Sequence, residues 1–134
     1  MKGNTVIHEL HQTTRFLSKV VNERLQKHGI FQSQWMILYC IKKFGPMTQT
    51  EIWKYLNVEA PTVTRTLTKL ERNGWIVRQK GKDQREKIVD LTDKAKSEIT
   101  EIETTIDTFE SEMLKGLSPE ECEQLSNLLA KVGR

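Results

Sequence analysis

The sequence predicts a mainly α-helical fold with one small β-hairpin, and three observations support that prediction. Apolar residues recur at helical spacing in six segments of the chain. Glycine or proline lies near the ends of most of these segments. Two short runs rich in isoleucine and valine surround the polar turn from Gly81 to Arg85. With 134 residues, of which 37% are hydrophobic, the chain can form one domain with a modest core.

The first two predicted helices occupy the first third of the chain. The segment from Val6 to Lys27 has an uneven apolar stripe and ends at Gly29, so it needs a partner helix elsewhere in the chain or in a second subunit. The segment from Ser33 to Phe44 contains the run from Trp35 to Ile41, which is apolar on all sides. We therefore expect this second helix to be the buried centre of the domain.

The third and fourth predicted helices are separated by a tight turn. The third opens at Met47, and Thr48 with Glu51 forms a capping box. The fourth starts at Ala60 and stops at Gly74, with a narrow apolar stripe on one side and hydroxyls and cations on the other. A short helix, a tight turn and a second helix with a polar face make a helix-turn-helix.

Two predicted strands, Trp75 to Lys80 and Glu86 to Leu91, follow the fourth helix and make this a winged helix-turn-helix. Residues 91–134 carry ten acidic and five basic residues, so the basic excess of the chain lies in residues 1–90. A cation-faced helix followed by a cation-tipped hairpin suits the DNA duplex, whose phosphates line both grooves.

Two more helices complete the predicted fold. Thr92 caps a helix from Asp93 to about Lys115, in which apolar residues recur at gaps of four and three, as in a helix that packs along its whole length. The sequence Ser118-Pro119-Glu120-Glu121 is a complete start signal for a last, shorter helix with one apolar face.

Several of these segments resemble the MarR family of bacterial transcriptional regulators, and the resemblance covers nearly the whole chain. The most specific match is the wing signature Asp83-Gln84-Arg85 followed by Leu91-Thr92. The other matching segments are Gln34-Trp35-Met36-Ile37-Leu38, Thr48-Gln49-Thr50-Glu51-Ile52, Pro61-Thr62-Val63-Thr64-Arg65, Leu70-Glu71 and Gly74-Trp75-Ile76-Val77-Arg78.

The resemblance implies a homodimer whose first and last helices interlock. Residues 1–30 and 93–134 would form a helical dimerisation region, and residues 31–92 would form the winged helix-turn-helix that binds DNA. The apolar residues expected at the dimer interface are Val6, Leu10, Leu125 and Leu129. The two winged helix-turn-helix regions of such a dimer, here called its heads, would be related by a two-fold axis. This symmetry implies a pseudo-palindromic operator with half-sites about one helical turn apart.

The resemblance also implies that the fourth helix enters the major groove and that the wing arginine reaches the minor groove. Arg85 would be the wing-tip probe, and Asp83 would hold it in place. Arginine can bind guanine with two hydrogen bonds and suits the negative potential of a narrow minor groove. The other residues expected to contact bases or phosphates are Thr62, Thr64, Arg65, Lys69, Arg72, Lys80 and Lys82. Glu59 departs from the family pattern, and we assign it no DNA contact.

A small aromatic or anionic effector is a further implication of the resemblance. Trp35, Met36 and Tyr39 are candidates for its pocket, although residues at this spacing are also typical of an ordinary core. Two alternatives stay open. The winged helix could serve as a protein-interaction module. Alternatively, the protein could be a redox sensor in which Cys40 or Cys122 is the reactive group, instead of being a small buried hydrophobe.

The sequence carries no catalytic triad motif and no glycine-rich phosphate loop, so we expect no enzymatic activity. His8 and His11 are too few for a closed zinc site, and we expect no metal or other cofactor. No apolar run is long enough to span a bilayer. The predicted protein is a cytoplasmic regulator, most simply a repressor.

Overall fold

The computed structural model describes residues 5–83 and 85–134, so Gln84 of the wing signature and residues 1–4 of the predicted dimerisation region lie outside the described residues. The mainly helical winged helix-turn-helix predicted from the sequence is confirmed. The elements in chain order are α1 (Thr5–Leu25), α2 (Gln32–Phe44), β1 (Met47–Thr48), α3 (Gln49–Leu56), α4 (Ala60–Arg72), β2 (Ile76–Lys80), β3 (Lys87–Leu91), α5 (Asp93–Met113) and α6 (Pro119–Leu129).

The helix boundaries follow local sequence signals. α1 ends in the short 3-10 turn Gln26–His28, and Gly29 closes that turn with a φ of 71°, which a residue without a side chain adopts at no cost. α2 starts one residue earlier than predicted, because the Gln34 side chain accepts a hydrogen bond of 2.8 Å from the Phe31 amide. The predicted caps of α3, α5 and α6 are confirmed at Thr48, Thr92 and Ser118.

Two predictions about the N-terminal half are wrong. The apolar run in α2 is not buried all round, since Met36 and Tyr39 are exposed while Ile37, Leu38 and Ile41 belong to the core. The helix expected to open at Met47 begins two residues later, because Met47 and Thr48 form β1. β1 pairs antiparallel with β3, which gives a three-stranded sheet in the order β1-β3-β2.

The helix-turn-helix is formed by α3 and α4. The turn between them uses Asn57 at a φ of 55°, a left-handed conformation that asparagine tolerates better than most residues. The inner stripe of α4 is buried as predicted, at Val63, Leu67 and Leu70. Burial of these three side chains fixes the helix so that its opposite face is directed to solvent.

The wing is a regular antiparallel hairpin. Its register runs from the pair Ile76–Leu91 to the pair Lys80–Lys87. The Gly81 amide donates to the Glu86 carbonyl at 2.9 Å and closes the end of the hairpin. The two strands are therefore hydrogen-bonded to each other up to the start of the wing tip.

α5 is the long helix that joins the wing to the C-terminal region. Its inner side contributes Ala95, Ile99, Ile102 and Phe109 to the core, next to Val21 and Leu25 of α1. In contrast, α6 has no buried residue, although one of its faces is apolar. Among the described residues, no helix is both long and apolar enough to cross a membrane.

Candidate nucleic-acid interface

The outer face of α4 presents the hydroxyls and cations that the sequence predicted for it. Thr64, Arg65, Lys69 and Arg72 are exposed, and Thr62 is partly exposed. The hydroxyls of Thr64 and Thr68 donate to carbonyls one turn earlier, at 3.0 Å each, which leaves their oxygens as outward acceptors. The face thus combines hydroxyl groups fixed by their own hydrogen bonds with exposed cationic side chains.

Arg65 is positioned by its own helix. Its Nη2 lies 3.3 Å from the Thr62 hydroxyl one turn earlier, so the guanidinium is directed toward the N-terminal end of α4. At that end Glu59 is the N-cap residue, and its side chain makes no capping hydrogen bond. The weak cap predicted for this helix start is confirmed. The amides of Thr62 and Val63 nevertheless donate to the Glu59 backbone carbonyl at 3.1 and 3.2 Å, and Pro61 has no amide hydrogen, so the first turn leaves little donor capacity for a ligand.

A groove of about 410 Å³ runs between α3, the start of α4 and the wing. Thr64 and Arg85, which the sequence predicts to contact DNA, both line it. The groove therefore joins the two predicted DNA-binding elements into one continuous surface. Its other lining residues are Thr48, Gln49, Thr50, Trp53, Ala60, Val63, Arg78, Glu86 and Lys87.

Sequence reasoning missed Arg78 as part of this surface. Its guanidinium donates to the Glu71 carboxylate at 2.8 Å and to the Gln49 side-chain oxygen at 3.5 Å. The Arg78 side chain is mostly buried, with 15% of it exposed. It therefore ties the wing strand to both helices of the helix-turn-helix. Only the tertiary arrangement reveals this role, because the three residues lie on three separate elements.

Replacing Glu71 with glutamine is expected to destabilise the protein by about 0.5 kcal/mol at neutral pH, the usual size for a partly exposed ion pair. The hydrogen bond from Arg78 holds the pKa of the Glu71 carboxyl below its ordinary value. Because the folded-state pKa is lowered, this stabilisation is present above the unfolded-state pKa and is lost as pH falls through the folded-state pKa. Urea unfolding of both proteins at neutral and acid pH measures the difference, which should vanish in acid.

The wing tip is exposed at Lys80, Lys82, Asp83 and Arg85. The Asp83 carboxylate accepts a hydrogen bond of 3.1 Å from the backbone amide of Arg85. The expected contact between this carboxylate and the Arg85 guanidinium is absent among the described residues. Asp83 therefore orients the backbone at Arg85, and the Arg85 guanidinium forms no ion pair with any residue that the structure describes.

The other predicted site residues lie elsewhere. Val6, Leu125 and Leu129 are exposed, and Leu10 is partly buried, on the helices expected to form the dimer. Trp35 and Tyr39 line a separate cavity between α2 and α5, whereas the exposed Met36 is not part of its lining.

The cysteines differ in environment. Cys40 is completely buried, and its thiol donates to the Ile37 carbonyl at 3.2 Å. Burial raises the pKa of the Cys40 thiol to about 11, so almost none of it is the reactive thiolate at neutral pH. Cys122 is partly buried on α6. Cys40 therefore gives no support to the redox-sensor alternative.

The fold and this surface define a winged helix-turn-helix regulator, and comparison with known proteins identifies its family. The MarR family model matches residues 30–87. The chain is 49% identical over 123 residues to the uncharacterized HTH-type transcriptional regulator YwoH of Bacillus subtilis (strain 168), covering 92% of this chain and 90% of that protein. The chain belongs to the MarR family, whose members are transcription regulators rather than enzymes.

Solved structures show the same fold. A mutant MarR from E. coli complexed with operator DNA is 26% identical, with a TM-score of 0.89 over 95% of this chain and 92% of that one. The apo form of wild-type MarR from E. coli is also 26% identical, with a TM-score of 0.77 over 96% of each chain.

Proposed function

We propose that this protein is a homodimeric, sequence-specific DNA-binding repressor that a small ligand releases from its operator. The observation that carries the proposal is the groove in which the start of α4 meets Arg85 of the wing. One surface there offers a helix of a size that fits the major groove and, beside it, an arginine at the tip of the hairpin. The similarity to the operator-bound E. coli protein supports the same mode of binding.

In this proposal each predicted residue has a defined role. Thr62, Thr64 and Arg65 contact base edges in the major groove, since they lie near the N-terminal end of α4. Arg85 enters the minor groove, and Asp83 fixes the loop that carries it. The remaining cations bind phosphates and add affinity without sequence information. They are Lys69, Arg72, Lys80 and Lys82.

The homodimer is proposed because the chain alone leaves apolar helix faces uncovered. α6 has no buried residue, and in α1 only Val21 and Leu25 are buried. Residues 1–30 and 93–134 would form the dimerisation region around residues 31–92. Two heads held in this way would bind a pseudo-palindromic operator in the compartment that contains the chromosome, which we take to be the cytoplasm.

Replacing Arg85 with alanine is expected to weaken operator binding by about 1–3 kcal/mol, the cost typical of a lost base contact. A gel-shift titration with the operator found by genomic footprinting measures the change. Lys43→Ala is the matched control, because it removes one exposed cation that does not line the groove and lies outside the proposed dimerisation region. Equal affinity of the Arg85 variant and the wild type would remove the wing from the mechanism.

The same titration separates this proposal from the protein-interaction alternative. A sequence-specific regulator should prefer its operator over random duplex by about a thousandfold or more at physiological salt. A cationic surface made for an acidic protein would bind both duplexes equally, with only the steep salt dependence of phosphate contacts. Equal binding would therefore refute the regulator proposal.

A further inference from the structure

A small cavity of about 190 Å³ lies between the first turn of α2 and the flank of α4. We call it the α2–α4 cavity. Ser33 and Gln34 line its α2 side, and Arg65 and Lys69 line its α4 side. It shares no lining residue with the groove between α4 and the wing, so it is a separate feature of the surface.

The charged side chains of this cavity are both cations, and neither has an anionic partner. No acidic side chain is among its described lining residues. Arg65 and Lys69 form no ion pair in the part of the chain that the structure describes. Like charges four residues apart on one helix disfavour each other. An anion placed between them would therefore be stabilised.

Gln34 adds a buried donor to the same cavity. The residue is only 6% exposed, and its Oε1 accepts a hydrogen bond from the Phe31 amide. Because the oxygen is fixed there, Nε2 takes the other position of the side-chain amide. This nitrogen donates to no acceptor among the described residues, and no such atom that is sealed from solvent lacks a partner. Gln34 therefore leaves an unused N–H donor at the edge of the cavity that it lines.

Ser33 is the group of this cavity that can be modified. It is exposed on the first turn of α2, and its hydroxyl makes no hydrogen bond to a described residue. Phe31, two residues earlier, has an extended backbone and is 62% exposed, so the chain is accessible where α2 begins. A phosphoryl group on Ser33 would add close to two negative charges opposite Arg65 and Lys69.

We propose that Ser33 is a phosphorylation site and that its phosphate occupies the α2–α4 cavity. In the reaction the Ser33 Oγ bonds to the γ-phosphorus of a nucleoside triphosphate held by a serine kinase. The bond from that phosphorus to the bridging oxygen breaks, the nucleoside diphosphate leaves, and the hydroxyl proton passes to solvent. The phosphate then accepts hydrogen bonds from Arg65, Lys69 and the Gln34 Nε2, of which the first two are strengthened by charge.

The modification withdraws two cations from the face of α4 that is proposed to contact DNA. Arg65 and Lys69 bind the phosphate instead of the operator, and the added negative charge repels the DNA backbone. We expect operator binding to weaken about tenfold or more, and the slope of log affinity against log salt to fall by about one for each cation withdrawn. This consequence rests on the DNA-binding function proposed above, whereas the pairing of the phosphate with α4 does not.

Full-length protein carrying phosphoserine in place of Ser33, incorporated during translation, tests the pairing without DNA. Phosphorus-31 NMR follows the second ionisation of the phosphate as the pH is changed. Adjacent cations stabilise the dianion, so its pKa should be lower in the folded protein than in the same protein unfolded in urea. Arg65→Ala with Lys69→Ala should remove most of this difference. Lys43→Ala with Lys54→Ala, the matched control, should keep it, because these exposed lysines do not line the cavity.

An equal pKa of the phosphate in the folded and the unfolded protein would refute the pairing. A difference that survived Arg65→Ala with Lys69→Ala would place the phosphate elsewhere and refute the α2–α4 cavity as its site.

Operator titration of the same phosphoprotein tests the consequence for DNA binding. Phosphoserine in place of Ser97 is the matched control, because Ser97 is exposed and lines neither the groove nor the α2–α4 cavity. Sedimentation equilibrium verifies that both phosphoproteins keep the oligomeric state of the unmodified protein. Unchanged affinity, or an equal loss in the Ser97 control, would remove the regulatory role and leave the phosphate site. Failure of the unmodified protein to prefer its operator over random duplex would instead refute the DNA-binding function.

The source of the phosphate is tested in two ways. Mass spectrometry of the protein isolated from its own cells, growing and starved, should detect phosphate on the peptide that contains Ser33. Detection of this peptide only without phosphate would overturn the modification. Inorganic phosphate is then added to the Ser33→Ala variant at constant ionic strength. If it weakened operator binding as much as phosphoserine does, the cavity would be a site for free phosphate and the proposal would be wrong.

Discussion

Replacing Leu125 and Leu129 together with aspartate is expected to make this protein monomeric and to lower its operator affinity by a factor of about 10²–10⁴. Both leucines lie on α6, where they are 41% and 45% exposed in the single chain. In the proposed dimer the new carboxylates would be buried without partners, which is strongly unfavourable. The factor is the usual gain when two binding modules are linked, and separating the heads loses it.

Sedimentation equilibrium measures the oligomeric state of this variant, and operator titration measures its DNA affinity. We expect the loss of the dimer and the loss of affinity to occur together. Leu125→Met with Leu129→Met is the control, because methionine keeps the side chains apolar at similar volume. A dimeric aspartate variant would show that α6 lies outside the interface. A monomeric variant that binds the operator as tightly as the wild type would contradict the proposed two-headed mode of binding.

Replacing Leu67 with alanine is expected to destabilise the folded state by about 2–5 kcal/mol, the range found when a large aliphatic side chain is deleted from a packed core. Leu67 is completely buried on the inner stripe of α4, directly behind the face proposed to contact DNA. Its loss leaves a cavity beneath that helix. The midpoint of urea unfolding at fixed protein concentration measures the change.

Two controls on α4 separate packing from DNA contact. Leu67→Met keeps the volume and should cost less than about 1.5 kcal/mol. Lys69→Ala lies two residues along on the exposed face and should lower DNA affinity without lowering stability. If Leu67→Ala left the unfolding midpoint unchanged, the described packing of α4 would be incorrect.

Most of the helical architecture could be predicted from the sequence because its signals are local. The hydroxyl of Thr48 accepts from the Glu51 amide, and that of Ser118 accepts from the Glu121 amide, within four consecutive residues in each case. The buried stripe of α4 follows from residue spacing alone. The strand at Met47 could not be predicted, since it exists only through pairing with Val89, which is far away in the chain.

The sequence by itself determined where the helices lie, which face of α4 is cationic and which family the chain resembles, because periodicity, caps and motifs are properties of neighbouring residues. Only the tertiary structure decided that Arg78 joins Glu71 and Gln49, and that the aromatic residues of α2 face the carboxylates of α5. The physical reason is that charge and shape in a cavity depend on which elements pack together. That packing is set by contacts between residues distant in the chain.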